Sequence, residues 1–304
     1  MNTPIDDNKL RVAITGAGGY LGRNLCAYLR EQGAAVFQLT SNPARTEQSM
    51  PAARFTFHSG VEPRFFSDHK IEALIHAAYD FHPRQRKAIR ESNVKRSIDL
   101  FAQARTEGVK RIIFISSMSA YKGCRSLYGS AKLEIEKSLS EMHDGLSVRP
   151  GLIYSTPLTQ SGGMIGSVLQ SLERGLIPLV GKGDQILYLS HVQDLCRLVE
   201  HLILDSGSAG SAPVTAAHPQ PYALREIIQL LALTMKSKKA RLVPVPWRLA
   251  WAGVRVLEGA GVQTEFRSDS ILSLVHQNPD PDFSAIPSQI AFRDFAAAIG
   301  AASS

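Results

Sequence analysis

The chain has 304 residues, of which 44% are hydrophobic and 20% are charged, a balance typical of a folded protein and not of a disordered one. The formal net charge is +7, but lysines and arginines are scattered without a dense basic run, which argues against nucleic-acid binding. The three cysteines are far apart and form no zinc-binding spacing, so no metal site is predicted. The first ten residues are polar and no run of 18 apolar residues occurs, so we expect a cytoplasmic protein that does not enter a membrane.

The first half of the chain alternates predicted strands with predicted helices. Strands are expected at residues 10–15, 35–40, 54–57, 72–77, 111–116 and 146–149, and helices at residues 20–32, 84–107 and 126–142. This order requires βαβ crossovers, and therefore predicts an α/β fold with a doubly wound parallel sheet of the Rossmann type. We place this domain at residues 1–155.

After Pro150 the pattern changes to helices separated by glycine-rich and proline-rich turns. Helices are expected near residues 164–174, 192–204, 222–235, 245–260 and 291–299, with short extended pieces at 212–215 and 241–244. We predict that residues 156–304 form mainly a smaller substrate-binding lobe. Parts of residues 185–220 are expected to complete the sheet of the first domain.

A glycine-rich loop joins the first strand to the first helix. Gly16, Gly19 and Gly22 recur at intervals of three, and Tyr20 and Leu21 begin the helix. In this position the glycines allow a tight turn, leave room for a pyrophosphate and let the helix pack against the strand. The helix N-terminus adds a partial positive charge, so the loop predicts a dinucleotide site.

The end of the second strand distinguishes NAD from NADP. A carboxylate there would bind the ribose 2′-hydroxyl of NAD, but this strand ends at Thr40 and Ser41, with Arg45 following. Hydroxyls and a cation suit a 2′-phosphate better. We therefore favour NADP over NAD.

Tyr128 and Lys132 are four positions apart at the start of a predicted helix. On one helical face, the ammonium is expected to lower the phenol pKa and to make Tyr128 a proton carrier beside a nicotinamide. The preceding strand ends in Ser116 and Ser117, at the edge of the sheet where ligands bind. Ser117 is the preferred partner for the same substrate oxygen, with Ser116 and Ser119 as alternatives.

These segments, in this order, resemble the extended short-chain dehydrogenase/reductase family of the NAD-dependent epimerase/dehydratase type. The matching pieces are Thr15-Gly16-x-x-Gly19-x-x-Gly22, Ile75-His76-Ala77-Ala78, Asn93-Val94, Phe114-Ile115-Ser116-Ser117-x-Ser119-x-Tyr121, Tyr128-x-x-x-Lys132, Arg149-Pro150-Gly151-Leu152-Ile153-Tyr154 and His191-Val192-Gln193-Asp194.

The resemblance implies a role for each matching position. Tyr128 would be the acid/base, Ser117 would bind substrate, and Lys132 would hold the nicotinamide ribose. The remaining cofactor contacts would come from Ala77 and Ala78 through their backbone, from Ser116, and from Pro150, Gly151 and Ile153 around the nicotinamide. The predicted substrate residues are Tyr79, Ser117, Met118, Tyr154 and Tyr188.

The sequence also departs from the family pattern. His58-Ser59-Gly60 stands where an acidic residue near the adenine is common, and Leu187 stands where nucleotide-sugar members often carry an arginine. Met118 replaces the extra acid expected of a dehydratase. The pattern suggests structural roles for His191 and Asp194.

Several functions remain open on sequence alone. The first is an oxidoreductase or epimerase acting on a small-molecule hydroxyl or keto group, with a nucleotide-sugar substrate slightly favoured. An apolar steroid-like or terpenoid-like ketone or alcohol follows closely, since Leu187, Tyr188 and Leu189 would suit a less polar pocket. The alternatives are a non-catalytic NADP-binding sensor or assembly protein, and an RNA-binding protein. The resemblance further suggests a homodimer formed through the helices at 84–107 and 126–142.

Overall fold

The computed structural model describes residues 9–43, 49–205, 212–235, 241–262 and 267–301. The chain divides into two compact units. The first contains Met1–Ser116, Ala131–Arg149 and Cys196–Val214, and the second contains Ser117–Ser130, Pro150–Leu195 and Thr215–Ser304. The polypeptide thus passes from one unit to the other at 116/117, 130/131, 149/150, 195/196 and 214/215.

The strands, in chain order, are β1 (Arg11–Thr15), β2 (Ala35–Thr40), β3 (Ala52–Arg54), β4 (Ala73–His76), β5 (Arg111–Ile115), β6 (Gly145–Pro150), β7 (Leu152–Tyr154), β8 (Leu176–Val180), β9 (Ile186–Leu187), β10 (Leu189–His191), β11 (Val214–Ala216), β12 (Tyr222–Ala223) and β13 (Arg241–Val245). The α-helices are α1 (Tyr20–Glu31), α2 (Phe65–Asp68), α3 (Arg86–Ile89), α4 (Arg96–Thr106), α5 (Leu127–Ser140), α6 (Gly163–Arg174), α7 (Val192–Leu204), α8 (Leu224–Thr234), α9 (Trp247–Gly259), α10 (Ser268–Val275) and α11 (Phe295–Ala301).

A seven-stranded sheet forms the centre of the fold, in the order β11-β6-β5-β4-β1-β2-β3. The pairs from β6 to β3 are parallel throughout. The order reverses at β1, which lies between β4 and β2. A reversal of this kind leaves a crevice at the carboxyl ends of the strands, where dinucleotides bind in Rossmann folds. The predicted Rossmann-type α/β fold is therefore confirmed.

Continuous apolar runs explain why the central strands are buried. All four residues of β4 and all five of β5 are buried, as expected for strands covered by helices on both faces. Helix α1 contributes Leu25 and Leu29, one helical turn apart and both fully buried. The glycine loop and the ends of β4 and β5 are thus attached to a rigid sheet.

The second unit contains three small strand pairs and its own hydrophobic core. β7 pairs with β10 and β8 with β13 in parallel, while β9 pairs with β12 antiparallel. The core is centred on Tyr154, Leu189, Leu231 and Phe295, all at most 1% exposed. Within the described ranges, no helix is both long and apolar enough to cross a membrane.

The structure differs from several predicted elements. The predicted helix at 84–107 is interrupted by a π-helical segment, Arg90–Lys95, between α3 and α4. This wider turn occurs where buried Asn93 accepts a hydrogen bond from the Asp80 N–H (2.7 Å) and donates one to the Asp80 carbonyl (3.0 Å). Such π segments are often found at functional sites.

The remaining differences concern short elements. The third strand is Ala52–Arg54 and not residues 54–57, and the predicted helix at 222–235 begins only at Leu224. Helices α2 and α10 were not predicted at all. Four and eight residues give too few helical turns for a clear hydrophobic period, which explains why the pattern did not show them.

Candidate cofactor and catalytic site

The glycine loop of the first unit is shaped by close backbone approaches. The Gly16 backbone has φ +71°, and a Cβ on it would lie 2.9 Å from the Ala78 nitrogen. A Cβ on Gly22 would lie 2.0 Å from the Gly16 carbonyl oxygen. The N–H of Gly19 donates to the Gly16 carbonyl (2.9 Å), immediately before Tyr20 and Leu21 begin α1. The loop therefore lies directly against Ala77 and Ala78.

A buried histidine for which the sequence predicted no role joins β1 to β4. The His76 ring nitrogens lie 2.7 Å from the Thr15 Oγ1 and 2.8 Å from the Ser97 Oγ. The Thr15 hydroxyl in turn accepts a bond from the Ala78 N–H (3.3 Å). Burial, and secondarily the charge of Lys132, lowers the pKa of His76 to about 3, so this ring is neutral and has a structural role.

Thr40 ends β2 beside the same loop. Its hydroxyl oxygen would be 3.4 Å from a Cβ placed on Gly18. Ser41 is exposed. Arg45, the predicted cation, lies outside the described residues.

Ser116, at the end of β5, contains a buried hydroxyl with no hydrogen-bond partner in the part of the chain that the structure describes. Its side chain is 3% exposed, and its N–H is already used on the Val148 carbonyl (2.7 Å). Buried hydroxyls nearly always have a partner, so an orphan at a strand end is a place for a ligand atom. The Ser116 hydroxyl and the glycine loop together fit a bound dinucleotide.

Lys132 is deeply buried in the first unit. Its Nζ donates to the Ile115 carbonyl (2.7 Å) and lies 4.5 Å from the centre of the Phe114 ring and 5.3 Å from that of Tyr79. Burial lowers the pKa of Lys132 to about 7, although the Glu136 carboxylate acts in the opposite direction. A lysine with this pKa exchanges protons easily at neutral pH.

In the second unit, Tyr128 and Ser117 come together. The Ser117 side chain lies near enough to the Tyr128 hydroxyl to act on its pKa, which it lowers. Gly129 makes this possible, because a Cβ there would lie 2.2 Å from the Ser119 carbonyl oxygen. The missing side chain lets the 117–120 segment pack against the first turn of α5.

The pKa of Tyr128 is raised to about 12, and the prediction that it would be lowered was wrong. Desolvation by the surrounding protein is the largest cause, and the nearby Ser117 side chain offsets only part of it. Lys132 lies four positions further along α5, so the two side chains project from the same helical face one turn apart. A burial effect on the phenol could not be inferred from this spacing.

The backbone is also closely packed at Pro150 and Gly151, which are predicted to lie beside the nicotinamide. The Gly151 N–H donates to the Ser190 Oγ (2.9 Å), and a Cβ on Gly151 would lie 2.2 Å from the Tyr188 carbonyl oxygen. Pro150 accepts a bond from the Met118 N–H (3.2 Å). Ile153 and Tyr188 are partly exposed.

Three residues that we had placed at a substrate pocket belong to the core instead. Tyr154 is fully buried, with its ring 4.9 Å from that of Phe295, so we no longer count it as a substrate residue. Leu187 and Leu189 lie in the same hydrophobic cluster. Because side chains alternate along an extended chain, Tyr188 projects away from that cluster and remains a candidate.

His191 and Asp194 have structural contacts. The His191 ring lies 2.9 Å from the Thr156 hydroxyl and packs edge-on against Tyr154. The Asp194 carboxylate accepts bonds from the backbone (2.8 Å) and the side chain (3.0 Å) of Arg293. These contacts fix the C-terminal segment within the second unit.

Comparison with known proteins agrees with this geometry. The NAD dependent epimerase/dehydratase family model matches residues 12–214, which is more than half of the chain. This chain belongs to that family. It is an SDR-type enzyme of the NAD-dependent epimerase/dehydratase family, and the resemblance seen in the sequence is confirmed.

Its similarity to individual members is distant. The epimerase family protein YfhF of Bacillus subtilis is 24% identical over 269 residues, covering 78% of this chain and 83% of that protein. The 2-alkyl-3-oxoalkanoate reductase of Stenotrophomonas maltophilia is 23% identical, covering 73% of this chain and 75% of that protein. Among solved structures, TunA, an NAD dependent NDP-hexosamine 5,6-dehydratase, aligns over 97% of both chains with a TM-score of 0.71 and 17% identity.

Proposed function

We propose that this family member is an NAD(P)-dependent oxidoreductase or epimerase that acts on a hydroxyl or keto group, with Tyr128 as the acid/base. The observation that carries this proposal is the pairing of Tyr128 with Ser117, whose side chain acts to lower the Tyr128 pKa, one helical turn before a buried lysine. A hydroxyl pair of this kind can bind one substrate oxygen and exchange a proton with it.

The proton chemistry follows from the raised pKa. At about 12, the pKa keeps Tyr128 protonated at neutral pH, so the phenol is ready to donate to a carbonyl oxygen. The Ser117 hydroxyl then stabilises the phenolate that remains. In the oxidising direction the phenolate would take the proton of a substrate hydroxyl, and a pKa of about 12 leaves little phenolate at neutral pH. A bound nicotinamide would supply the hydride donor or acceptor.

We assign Lys132 to the nicotinamide ribose. Its bond to the Ile115 carbonyl and its position over the Phe114 ring hold the amine in one place, so the remaining N–H groups point in fixed directions. Other residues proposed to hold the cofactor are Gly16, Gly19, Tyr20, Leu21, Gly22, Ala77, Ala78, Ser116, Pro150, Gly151 and Ile153.

For the cofactor itself we propose a preference for NADP within this NAD-dependent family. The supporting observations are the hydroxyls of Thr40 and Ser41 at the end of β2 and the cation Arg45, which follows four positions later in the sequence. Arg45→Ala should raise the dissociation constant of NADPH more than that of NADH. An equal effect on both would remove the preference.

Two substrate classes follow from separate observations. A nucleotide sugar is the first, supported by the family and by the similarity to TunA over nearly the whole chain. A more apolar ketone or alcohol is the second, because Leu187 occupies the position of the arginine often found in nucleotide-sugar members, and because a 2-alkyl-3-oxoalkanoate reductase is similar. Met118 beside Ser117 argues against dehydration in either case.

The decisive experiment is an assay of NADPH and NADH oxidation with 4-keto sugars and 2-alkyl-3-oxoalkanoates, together with epimerisation assays on UDP-hexoses. Epimerisation returns the hydride within one cycle, so an epimerase should copurify with bound cofactor, whereas a reductase should exchange it.

Tyr128→Phe should lower kcat by about 10²–10⁴-fold and leave the NADPH dissociation constant within about twofold. Normal turnover by Tyr128→Phe would disprove the assignment.

We also propose a homodimer formed through α3, α4 and α5. The support is the family resemblance, since related enzymes often pair through the helices that correspond to these. Light scattering at micromolar concentration should give twice the chain mass, and a monomer would refute this assembly.

A further inference from the structure

We infer that Asp269, on α10, is a positioning residue for Tyr128. This inference rests on the proposed role of Tyr128 as the acid/base. It concerns a contact between residues 141 positions apart, which neither the glycine loop nor the Tyr-x-x-x-Lys motif contains.

The Asp269 carboxylate binds the backbone at the start of the catalytic helix. Its Oδ1 accepts a hydrogen bond from the Leu127 N–H (2.7 Å), and its Oδ2 accepts one from the Tyr128 N–H (2.9 Å). The first N–H groups of a helix have no acceptor within that helix and must find one elsewhere. A carboxylate is well suited, because it also interacts favourably with the helix dipole.

The local cap of α5 does not satisfy these two groups. Ser126, just before the helix, accepts from the Gly129 N–H (3.0 Å), the usual partner of a capping serine. Asp269 therefore completes the first turn, and one of its two bonds is to the backbone of Tyr128 itself. This bond fixes the backbone from which the Tyr128 side chain projects, and with it the position of the ring relative to Ser117.

Asp269 is itself held by neighbouring contacts. The preceding residue, Ser268, is 4% exposed and donates through its N–H (3.1 Å) and its hydroxyl (2.6 Å) to the two carboxylate oxygens of Glu258 on α9. Just after α10, the His276 carbonyl accepts a bond from the Tyr121 hydroxyl (3.1 Å). The segment 267–276 thus contacts the 117–128 segment at both of its ends.

The two ends act on the same loop. One fixes Tyr121 in the middle of the 117–128 segment and the other fixes Tyr128 at its end, so the distance between the Ser117 and Tyr128 hydroxyls depends on α10. Both oxygens of Asp269 bind backbone amides, so its role is positional and not proton transfer. Small displacements of a reacting group can cost about 10²-fold in rate.

The test compares Asp269→Asn and Asp269→Ala with Asp280→Asn, a control at an exposed aspartate of the same C-terminal segment. Asparagine retains one acceptor oxygen and alanine retains none. We expect kcat with the best substrate of the panel to fall by about 10-fold and about 10²-fold respectively, with the KM for NADPH unchanged. Asp280→Asn should behave as the wild type.

A double-mutant cycle separates positioning from general damage. In the Tyr128→Phe background, Asp269→Ala should change the residual rate by less than about twofold, because the group that it positions is already gone. Equal losses in both backgrounds would overturn the inference. So would a kcat within twofold of wild type for Asp269→Ala while Tyr128→Phe is inactive. Normal turnover by Tyr128→Phe would instead refute the proposed function.

Amide hydrogen exchange gives a readout that needs no substrate, and Asp269→Asn serves if the alanine variant does not fold. Because asparagine loses one of the two bonds, exchange should speed by about 10-fold at Leu127 or at Tyr128, while the amides of α4 keep their wild-type rates. Unchanged exchange at Leu127 and Tyr128, or an equal increase in α4, would contradict the assignment.

Discussion

The glycine loop and the Ser117–Tyr128 segment both supply proposed site residues, but they are held in place differently. The loop at Gly16–Gly22 is shaped by contacts with its own strand, its own helix and Ala78 at the end of β4. The Ser117–Tyr128 segment depends on Gly129 at one side and on Asp269 and His276 from the distant C-terminal part of the chain. The proposed cofactor loop is held mainly by the strand and helix that flank it, whereas the proposed proton-transfer segment is also held by residues more than 140 positions away.

The largest expected effect comes from filling the space between strand and helix in the loop. In Gly22→Ala the new Cβ would lie 2.0 Å from the Gly16 carbonyl oxygen, so the backbone must move. NADPH affinity measured by calorimetry should fall by at least about 10²-fold, or the protein should fail to fold. Gly253→Ala, where a Cβ meets open space, is the control. Wild-type NADPH affinity in Gly22→Ala would show that cofactor binding does not depend on these close backbone contacts.

Gly129→Ala tests how the Ser117–Tyr128 segment is held. Its Cβ would lie 2.2 Å from the Ser119 carbonyl oxygen, which should push the segment carrying Ser117 away from Tyr128. We expect kcat to fall by about 10²-fold while the NADPH dissociation constant stays within about twofold. If cofactor affinity fell as steeply as kcat, the two regions would not be separable.

Lys132 should make the protein less stable at neutral and acidic pH. Because its folded-state pKa is lowered from 10.5 to about 7, the unfolded chain binds more protons between these values, and stability rises with pH across that window. Lys132→Met should raise the free energy of unfolding by about 1–3 kcal/mol at pH 6, and the gain should shrink towards pH 10. Urea denaturation at both pH values measures this. Lys137→Met, an exposed position on the same helix, should show no such pH dependence.

The smallest effect on stability is expected at Ser116. Its hydroxyl makes no hydrogen bond with the described residues, so Ser116→Ala should change the free energy of unfolding by less than about 0.5 kcal/mol. Ser97→Ala is the matched comparison, since the Ser97 hydroxyl contacts both His76 (2.8 Å) and the Asn93 carbonyl (2.6 Å), and should cost about 1–2 kcal/mol. NADPH affinity should nevertheless fall in Ser116→Ala, by about 3–10-fold. Unchanged affinity would remove Ser116 from the proposed cofactor residues.

The sequence predicted the parts of the molecule that depend on local patterns. Strand and helix alternation predicted the Rossmann-type sheet, and glycine spacing placed the loop between β1 and α1. The pattern could not reveal Asp269, because one aspartate before a short apolar run has no signature of a contact 141 residues away. It also could not show that Leu187 and Tyr154 face the core, or that burial raises the Tyr128 pKa, since both depend on tertiary packing.

The interleaving of the chain limits how the second unit can be exchanged with that of a relative. Helix α5 gives its first turn to the second unit and the rest to the first, so no single break in the polypeptide separates them. Ending the chain at residue 155 would remove β11 from the central sheet together with the C-terminal contacts on Tyr128. Recombination with a relative would have to transplant Ser117–Ser130, Pro150–Leu195 and Thr215–Ser304 together.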